Sequence, residues 1–239
     1  MQSPYGFGVQ ENCLTCIWRE KRTFCNIAGA ALRQLQRITS LSVHPAGTLL
    51  YSEGKPSHGV FILCNGRAKV FTSSQRHSVV MFKMADPGEV LGLEAVLSDQ
   101  PHQETAELLD TCQVKFIPKD ELLHFLRTRN PPALHAALQL AANSRLAREQ
   151  IRRIGLSVSG TQKLARLLLS WTKTQGARGA PAESFEAPYT HAGIAQMIGS
   201  TRETVTRVLN RLKDKKVIAI QGETFVIKDL EFLKRLARE

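Results

Sequence analysis

The chain has 239 residues, 43% apolar and 22% charged, enough for one large or two modest domains with real cores. No run approaches the roughly 18 apolar residues of a membrane span, and the opening MQSPYGFGVQ lacks the basic start and apolar centre of a signal peptide. The sequence therefore predicts a cytoplasmic protein without a membrane partner, whose five cysteines serve as thiols or metal ligands rather than structural disulfides. A net charge of +11 with a pI near 9.7 favours a polyanionic partner, most simply nucleic acid.

Residues 1–12 read as disordered. Cys13-Leu-Thr-Cys16 follows, with Cys25 beyond it. A CxxC pair brings two thiolates to one metal from a single turn, and Cys25 supplies a third ligand. Thiolates suit zinc or iron–sulfur chemistry, and CxxC equally suits a reversible disulfide. Residues 28–37 (AGAALRQLQR) read as a short amphipathic helix. From about Leu41 short strands alternate with glycine corners: Leu49–Tyr51, Val60–Leu63, Ala68–Phe71 and Val79–Lys83, beside Gly47, Gly54, Gly59, Gly66 and Gly88. This spacing predicts an all-β sandwich or jelly roll. Cys64, at the end of a strand, reads as a buried small apolar side chain. Residues 111–125 read as a closing strand and a short helix beginning near Pro118.

Pro131-Pro132 starts a long helix to about Ile154. Leu134, Leu138, Ala141, Ser144, Ala147, Ile151 and Ile154 recur at spacings of three and four, the narrow seam of a coiled coil; packing on the chain's own sheet is the simpler alternative. Residues 155–160 (GLSVSG) read as a hinge, 161–171 as an apolar helix, and 173–188 as a loop or edge hairpin. Residues 189–216 then read as two short helices about Gly199, a residue suited to a left-handed cap. Val205, Val208, Leu209 and Leu212 line one face of the second helix. Arg202, Glu203, Thr206, Arg207, Asn210 and Lys213 line the other. A short helix, a glycine turn and a helix with a basic outer face form the helix-turn-helix pattern, whose second helix enters the major groove. Two strands about Gln221-Gly222 read as a wing, and residues 229–238 as a terminal helix.

Ile194-Ala-Gln-Met-Ile-Gly followed by Thr201-Arg-Glu-Thr-Val-Thr-Arg-Val-Leu resembles the recognition motif of the CRP/FNR family of bacterial transcription regulators. Pro45-x-Gly47, Glu53-Gly54, Val60–Gly66 and Pro87-Gly-Glu-Val-Leu-Gly92 resemble the same family's β-roll. The resemblance implies an α+β chain: an N-terminal β-roll (a cyclic-nucleotide-binding-like jelly roll), a long dimerisation helix and a C-terminal winged helix-turn-helix. The expected division is a cysteine-containing segment at 1–27, the β-roll sensor at 28–129, the dimerisation helix at 130–155 and the DNA-binding domain at 156–239. It implies a homodimer on a palindromic double-stranded operator, with RNA polymerase as a further partner.

Residue by residue, Arg202, Glu203 and Arg207 match the Arg-Glu-x-x-x-Arg triplet of the CRP branch, and Glu203, Thr206 and Arg207 match the Glu-x-x-Ser-Arg of the FNR branch with Thr for Ser. Arg202 favours a half-site resembling TGTGA. Ser200 or Thr201 caps the helix, and Lys213, like Lys215 and Lys216, suits a phosphate or no contact at all. Members that bind cyclic nucleotides have a Gly-Glu-Leu turn and an Arg-Ser pair; here Gly92-Leu93-Glu94 and Glu104-Thr105 stand there. Glu104 in place of the phosphate-binding Arg argues against cyclic AMP or GMP. In the FNR branch three N-terminal cysteines and one from the β-roll hold a [4Fe–4S] cluster. Cys13, Cys16 and Cys25 resemble the first three, with Cys112 as candidate fourth. The Cys16–Cys25 gap is longer than in that branch, and Cys112 lies a few residues early relative to Ile117-Pro118. Zinc, a thiol redox switch and no metal stay open beside the cluster. The competing function is a small-molecule-binding β-roll module whose effector is not a cyclic nucleotide. An enzyme is not expected: His44, His58, His77 and His102 are scattered, and no Ser-His-Asp signature or Walker loop occurs.

Overall fold

A computed structural model describes residues 12–16, 19–73, 79–155, 159–176, 184–186, 190–222 and 224–238. Residues 1–11 of the expected disordered start at 1–12, half of the hinge at 155–160 and most of the loop at 173–188 lie outside the described residues. The chain divides into two compact units, Met1–Thr72 with Phe82–Leu146 and Ser73–Met81 with Ala147–Glu239.

In chain order the first elements are α1 (Gly29–Ile38), β1 (Ser40–His44), β2 (Leu49–Tyr51), β3 (Gly59–Asn65), β4 (Ala68–Ser73), β5 (Val79–Ala85), β6 (Val90–Leu91), α2 (Leu93–Ser98), β7 (Thr105–Leu108), β8 (Cys112–Pro118), α3 (Lys119–Thr128) and α4 (Asn130–Gly155). The strands form two four-stranded sheets, ordered β1-β8-β3-β6 and β2-β7-β4-β5. This is the sandwich that the glycine-punctuated strands predict.

Side chains alternate across a strand, so β3, β6 and β8 of the first sheet each feed two apolar clusters. One, with Leu63, Ala68, Val70, Leu91, Ala106, Leu108, Cys112 and Val114, draws on strands of both sheets. The other sets Val60, Ile62 and Ile117 against Leu32 and Leu35 of α1, Val96 of α2 and Leu122 and Phe125 of α3. The N-terminal segment joins this second cluster through Phe24 and Ile27, at 0% and 3% exposure. Among the elements that the sequence reading does not name are α2 and β7. The six residues of α2 are too short to show a helical period, and the four of β7 carry only a weak alternation.

The second unit contains α5 (Gly160–Gly176), β9 (Ser184–Glu186), α6 (His191–Ile198), α7 (Arg202–Asp214), β10 (Ile218–Gln221), β11 (Thr224–Ile227) and α8 (Leu230–Arg238). Strands β10, β11 and β9 make a small antiparallel sheet in that order. Trp171 of α5 meets Phe185 with ring centroids 5.6 Å apart, and Phe185 stacks on Phe225 at 5.5 Å. Leu164, Leu168, Ile194, Ile198, Val205, Leu209 and Leu233 are fully buried in this unit.

Candidate functional site

Local chemistry sets the geometry of α6 and α7. The Thr190 hydroxyl accepts from the Gly193 amide at 3.1 Å and caps α6. Gly199, at φ 56°, ends it in the left-handed region, and the Ser200 amide donates to Ala195 O at 2.9 Å; a residue without a Cβ takes this conformation at least cost. The Thr201 hydroxyl then accepts from the Thr204 amide at 3.2 Å and caps α7. Val205, Val208, Leu209 and Leu212 are buried, which turns Arg202, Glu203, Arg207, Asn210 and Lys213 outward, all exposed. Thr206 is half-buried and pairs with His191 Nδ1 at 2.8 Å. That contact fixes the side of α7 nearest α6, and no sequence pattern announced it. The Glu203 carboxyl is held below the usual carboxylate range, first by its own backbone amide and then by the Thr201 hydroxyl. It therefore stays an ionised acceptor on the outer face.

The β-roll residues read as an effector pocket gather around Tyr51. Its ring stacks on His102 with centroids 4.0 Å apart, and its hydroxyl donates to Glu104 Oε1 at 3.2 Å. Gly92 lies against His102, whose Cε1 is 3.1 Å from where a Cβ on Gly92 would stand. Burial pushes the Glu104 carboxyl up, against the lowering influence of Lys83 and of the Tyr51 hydroxyl. Glu94 is exposed on α2. Thr105 turns its hydroxyl to the Glu53 amide at 3.0 Å.

The cysteines fall on two sides of one sheet. Cys13, Cys25 and Cys64 pack against the helix-covered cluster, whereas Cys112, 0% exposed, belongs to the other. Cys112 donates to Arg67 O at 3.4 Å. Burial, followed by the Cys64 and Cys13 thiols, pushes Cys25 up to about 12. Burial also raises Cys64 to about 11, and Lys115 opposes it. Lys115 Nζ donates to Cys13 Sγ at 3.1 Å. Among the described residues no group of three or more His, Cys, Asp or Glu is arranged to hold a metal ion. The set Cys13, Cys16, Cys25 and Cys112 does not fit a single four-thiolate group, because strand alternation turns Cys112 into the opposite cluster.

Residues 162–236 match the model of the Crp-like helix-turn-helix domain, and residues 42–129 that of the cyclic nucleotide-binding domain. Similar curated proteins include the anaerobic regulatory proteins of Haemophilus influenzae, 27% identical over 79% of this chain and 72% of that protein, and of Pasteurella multocida, 25% identical over 79% and 68%. Among solved structures, FixK2 from Bradyrhizobium japonicum matches with a TM-score of 0.69 at 21% identity, covering 83% of this chain and 97% of that one. The chain belongs to the CRP/FNR family.

As a CRP/FNR-type transcription regulator it presents its helix-turn-helix through α6 and α7 and its cyclic-nucleotide-binding-like domain through the β-roll. The structure brings Arg202, Glu203 and Arg207 together on one exposed face. It gathers Gly92 and Glu104 near Tyr51, turns Thr105 elsewhere, and separates Cys112 from the other cysteines. Cys64, read in the sequence as a buried small apolar side chain, is half-buried and packs against the helix-covered cluster. Sequence reasoning missed Lys115, a buried lysine that no apolar pattern identifies.

Proposed function

We propose that this CRP/FNR regulator is a homodimer that reads a palindromic operator through α7, with its N-terminal thiols as the regulatory input. The observation that carries the reading is the outer face of α7, where Arg202, Glu203 and Arg207 stand exposed on a helix whose opposite face is buried. An Arg fork matches guanine O6 and N7, and an ionised Glu accepts from cytosine N4. Lys213 serves a phosphate. Dimerisation is supported by the seam of α4: Leu134, Leu138 and Ile151 are 60%, 51% and 69% exposed, with Ala141, Ser144 and Ala147 exposed between them. The side chain of Ile154 lies outside the described residues. A helix leaves such a stripe uncovered when a second helix packs on it. The proposed division keeps 130–155 as this dimerisation element between a sensor and a DNA-binding domain.

Two relatives named as anaerobic regulatory proteins support an oxygen-linked input. Cys13, Cys16 and Cys25 are then the segment's share of a [4Fe–4S] site, and the cluster, when bound, supplies an oxygen-labile centre. The β-roll takes no cyclic nucleotide in this reading, because the half-buried Glu104 carboxyl stands where a cyclic phosphate needs a cation. The reading also keeps a cytoplasmic setting, RNA polymerase as a further partner and no enzymatic activity.

The test is fluorescence anisotropy with a duplex carrying two TGTGA half-sites, in anaerobic and air-exposed samples. Tight, sequence-dependent binding that weakens in air is the expected result. Equal affinity for scrambled DNA would overturn the operator reading, and equal affinity in both atmospheres would overturn the gate.

A further inference from the structure

Thr206 does not present itself on the outer face of α7 as a free hydroxyl. Within a helix a threonine hydroxyl commonly bonds back to the carbonyl one turn earlier. The Thr206 hydroxyl instead lies 2.8 Å from Nδ1 of His191, the first residue of α6. The Thr190 cap fixes where α6 begins, and Ile194, Ile198, Val205 and Leu209, all 0% exposed, pack the two helices together. Packing as well as the hydrogen bond therefore places the imidazole. Thr206 stands one turn beyond Arg202 and shares the outer face with Glu203, Arg207 and Asn210. The other threonine of α7 is turned differently. Thr204 accepts from the Thr201 hydroxyl at 3.1 Å, and its methyl lies 2.6 Å from where a Cβ on Gly160 would stand.

We infer that Thr206 reads the operator with its methyl group and not its hydroxyl, and that His191 is the positioning residue that decides this. This deepens the operator reading above and rests on it. The two γ-substituents of a threonine diverge from Cβ, so a hydroxyl drawn towards α6 leaves the methyl directed away from His191. In a helix-turn-helix the first helix crosses the DNA backbone and the second lies in the major groove. A hydroxyl turned towards α6 therefore points to the phosphate side, and the methyl is the group left for a base edge. In that groove a threonine methyl picks out thymine by apolar contact with its 5-methyl group, whereas a free hydroxyl serves several bases. The target is thus a 5-methylpyrimidine within the half-site, beside the bases assigned to Glu203 and Arg207. Threonine in place of the serine of Glu-x-x-Ser-Arg is then a functional difference, because serine lacks the group that does the reading. The contact involves no charge on the protein, so it adds specificity without adding to the salt-dependent attraction for any duplex.

The test uses full-length protein and the duplex with two TGTGA half-sites, in which each thymine of one half-site is replaced in turn by deoxyuridine. The exchange removes one methyl and leaves every hydrogen-bonding edge in place. Wild type should bind about fourfold more weakly when one particular thymine is replaced, the worth of one buried methyl group, with the salt slope unchanged. T206S should lose that sensitivity and T206V should keep it. H191A releases the hydroxyl, so it should shrink the penalty at that thymine and accept other bases there. H191N, whose amide can stand where Nδ1 does, should restore the wild-type pattern. A residue that only supported the fold would not distinguish one thymine from the rest. If wild type is indifferent to every replacement, or T206S is as sensitive as wild type, the methyl reading is overturned, while the operator reading stands so long as scrambled duplex binds more weakly. If H191A keeps the wild-type pattern, the role given to His191 is overturned. Equal affinity for scrambled duplex overturns both readings.

Discussion

Two carboxylates are driven in opposite directions by their surroundings, and each direction yields a prediction. Glu104 is half-buried under Tyr51, and burial raises its pKa. The folded state then binds a proton more readily than the unfolded chain, so ionised Glu104 opposes folding above the raised pKa. That opposition is relieved as pH falls through it towards the ordinary carboxylate range. Glu104→Gln keeps an oxygen to accept from Tyr51 and removes the charge. The variant should melt higher than wild type at pH 8 by differential scanning calorimetry, with the gap narrowing as pH is lowered; a gap independent of pH would refute the account. Glu203 lies at the first turn of α7, where its own amide and the Thr201 hydroxyl hold it ionised, as suits the acceptor for cytosine proposed above. Beside it, Arg202→Ala should cost about 1–3 kcal/mol at one guanine and relax preference there. Binding titrations against operators changed one base pair at a time check this, and a uniform loss on all sequences would mean that Arg202 meets only phosphate.

At the scale of elements, the recognition helix depends on how closely α5 approaches it. A Cβ on Gly160 would stand 2.6 Å from Thr204 Cγ2, and Thr204 sits in the first turn of α7, capped by Thr201. Gly160→Ala should therefore shift that turn and weaken operator binding by about tenfold, worth about 1.4 kcal/mol, while the isolated β-roll signals in an NMR spectrum stay put. Unchanged affinity would show that Thr204 yields without moving the helix. Most of these elements were legible in the sequence because they repeat a period. The spacing of Val205, Val208, Leu209 and Leu212 marks α7, and strands with glycine corners mark the sandwich. What stayed hidden has local physical causes. Six residues are too few for α2 to show its face. His191 meets Thr206 only after α6 folds back on α7. Cys112 looked like the partner of the N-terminal cysteines because the family resemblance suggested a fourth cysteine near there, yet a strand turns successive side chains to opposite faces, and counting from Ile117 already places Cys112 on the face away from them. Lys115, on the face opposite to that of Cys112, defeats pattern reading altogether: a lysine 2% exposed meets the Cys13 sulfur and the Gln36 amide oxygen, partners that no apolar period announces.

For the whole molecule, charge and dimerisation act together. The excess of positive charge, +11, is spread along the chain, with about half of it from Leu156 onward. It attracts any duplex, so it supplies affinity without specificity. Specificity in the proposed reading comes from two copies of α7 meeting two half-sites at once, and that requires the seam of α4. Leu138, 51% exposed, lies mid-seam, where a glutamate would set like charges face to face across a two-fold axis. Leu138→Glu should therefore sediment as a monomer at concentrations where wild type is a dimer, with little change in melting temperature, because the side chain is exposed within the chain. Its operator affinity should fall far more than its affinity for random duplex. Salt separates the two contributions. Each phosphate contact adds about 0.9 to the log–log slope of affinity against salt, so a monomer on one half-site should show roughly half the slope of the dimer. A Leu138→Glu protein that is monomeric yet keeps the wild-type slope and operator preference would mean that one subunit carries recognition alone, and that the uncovered seam serves something other than the DNA-bound state.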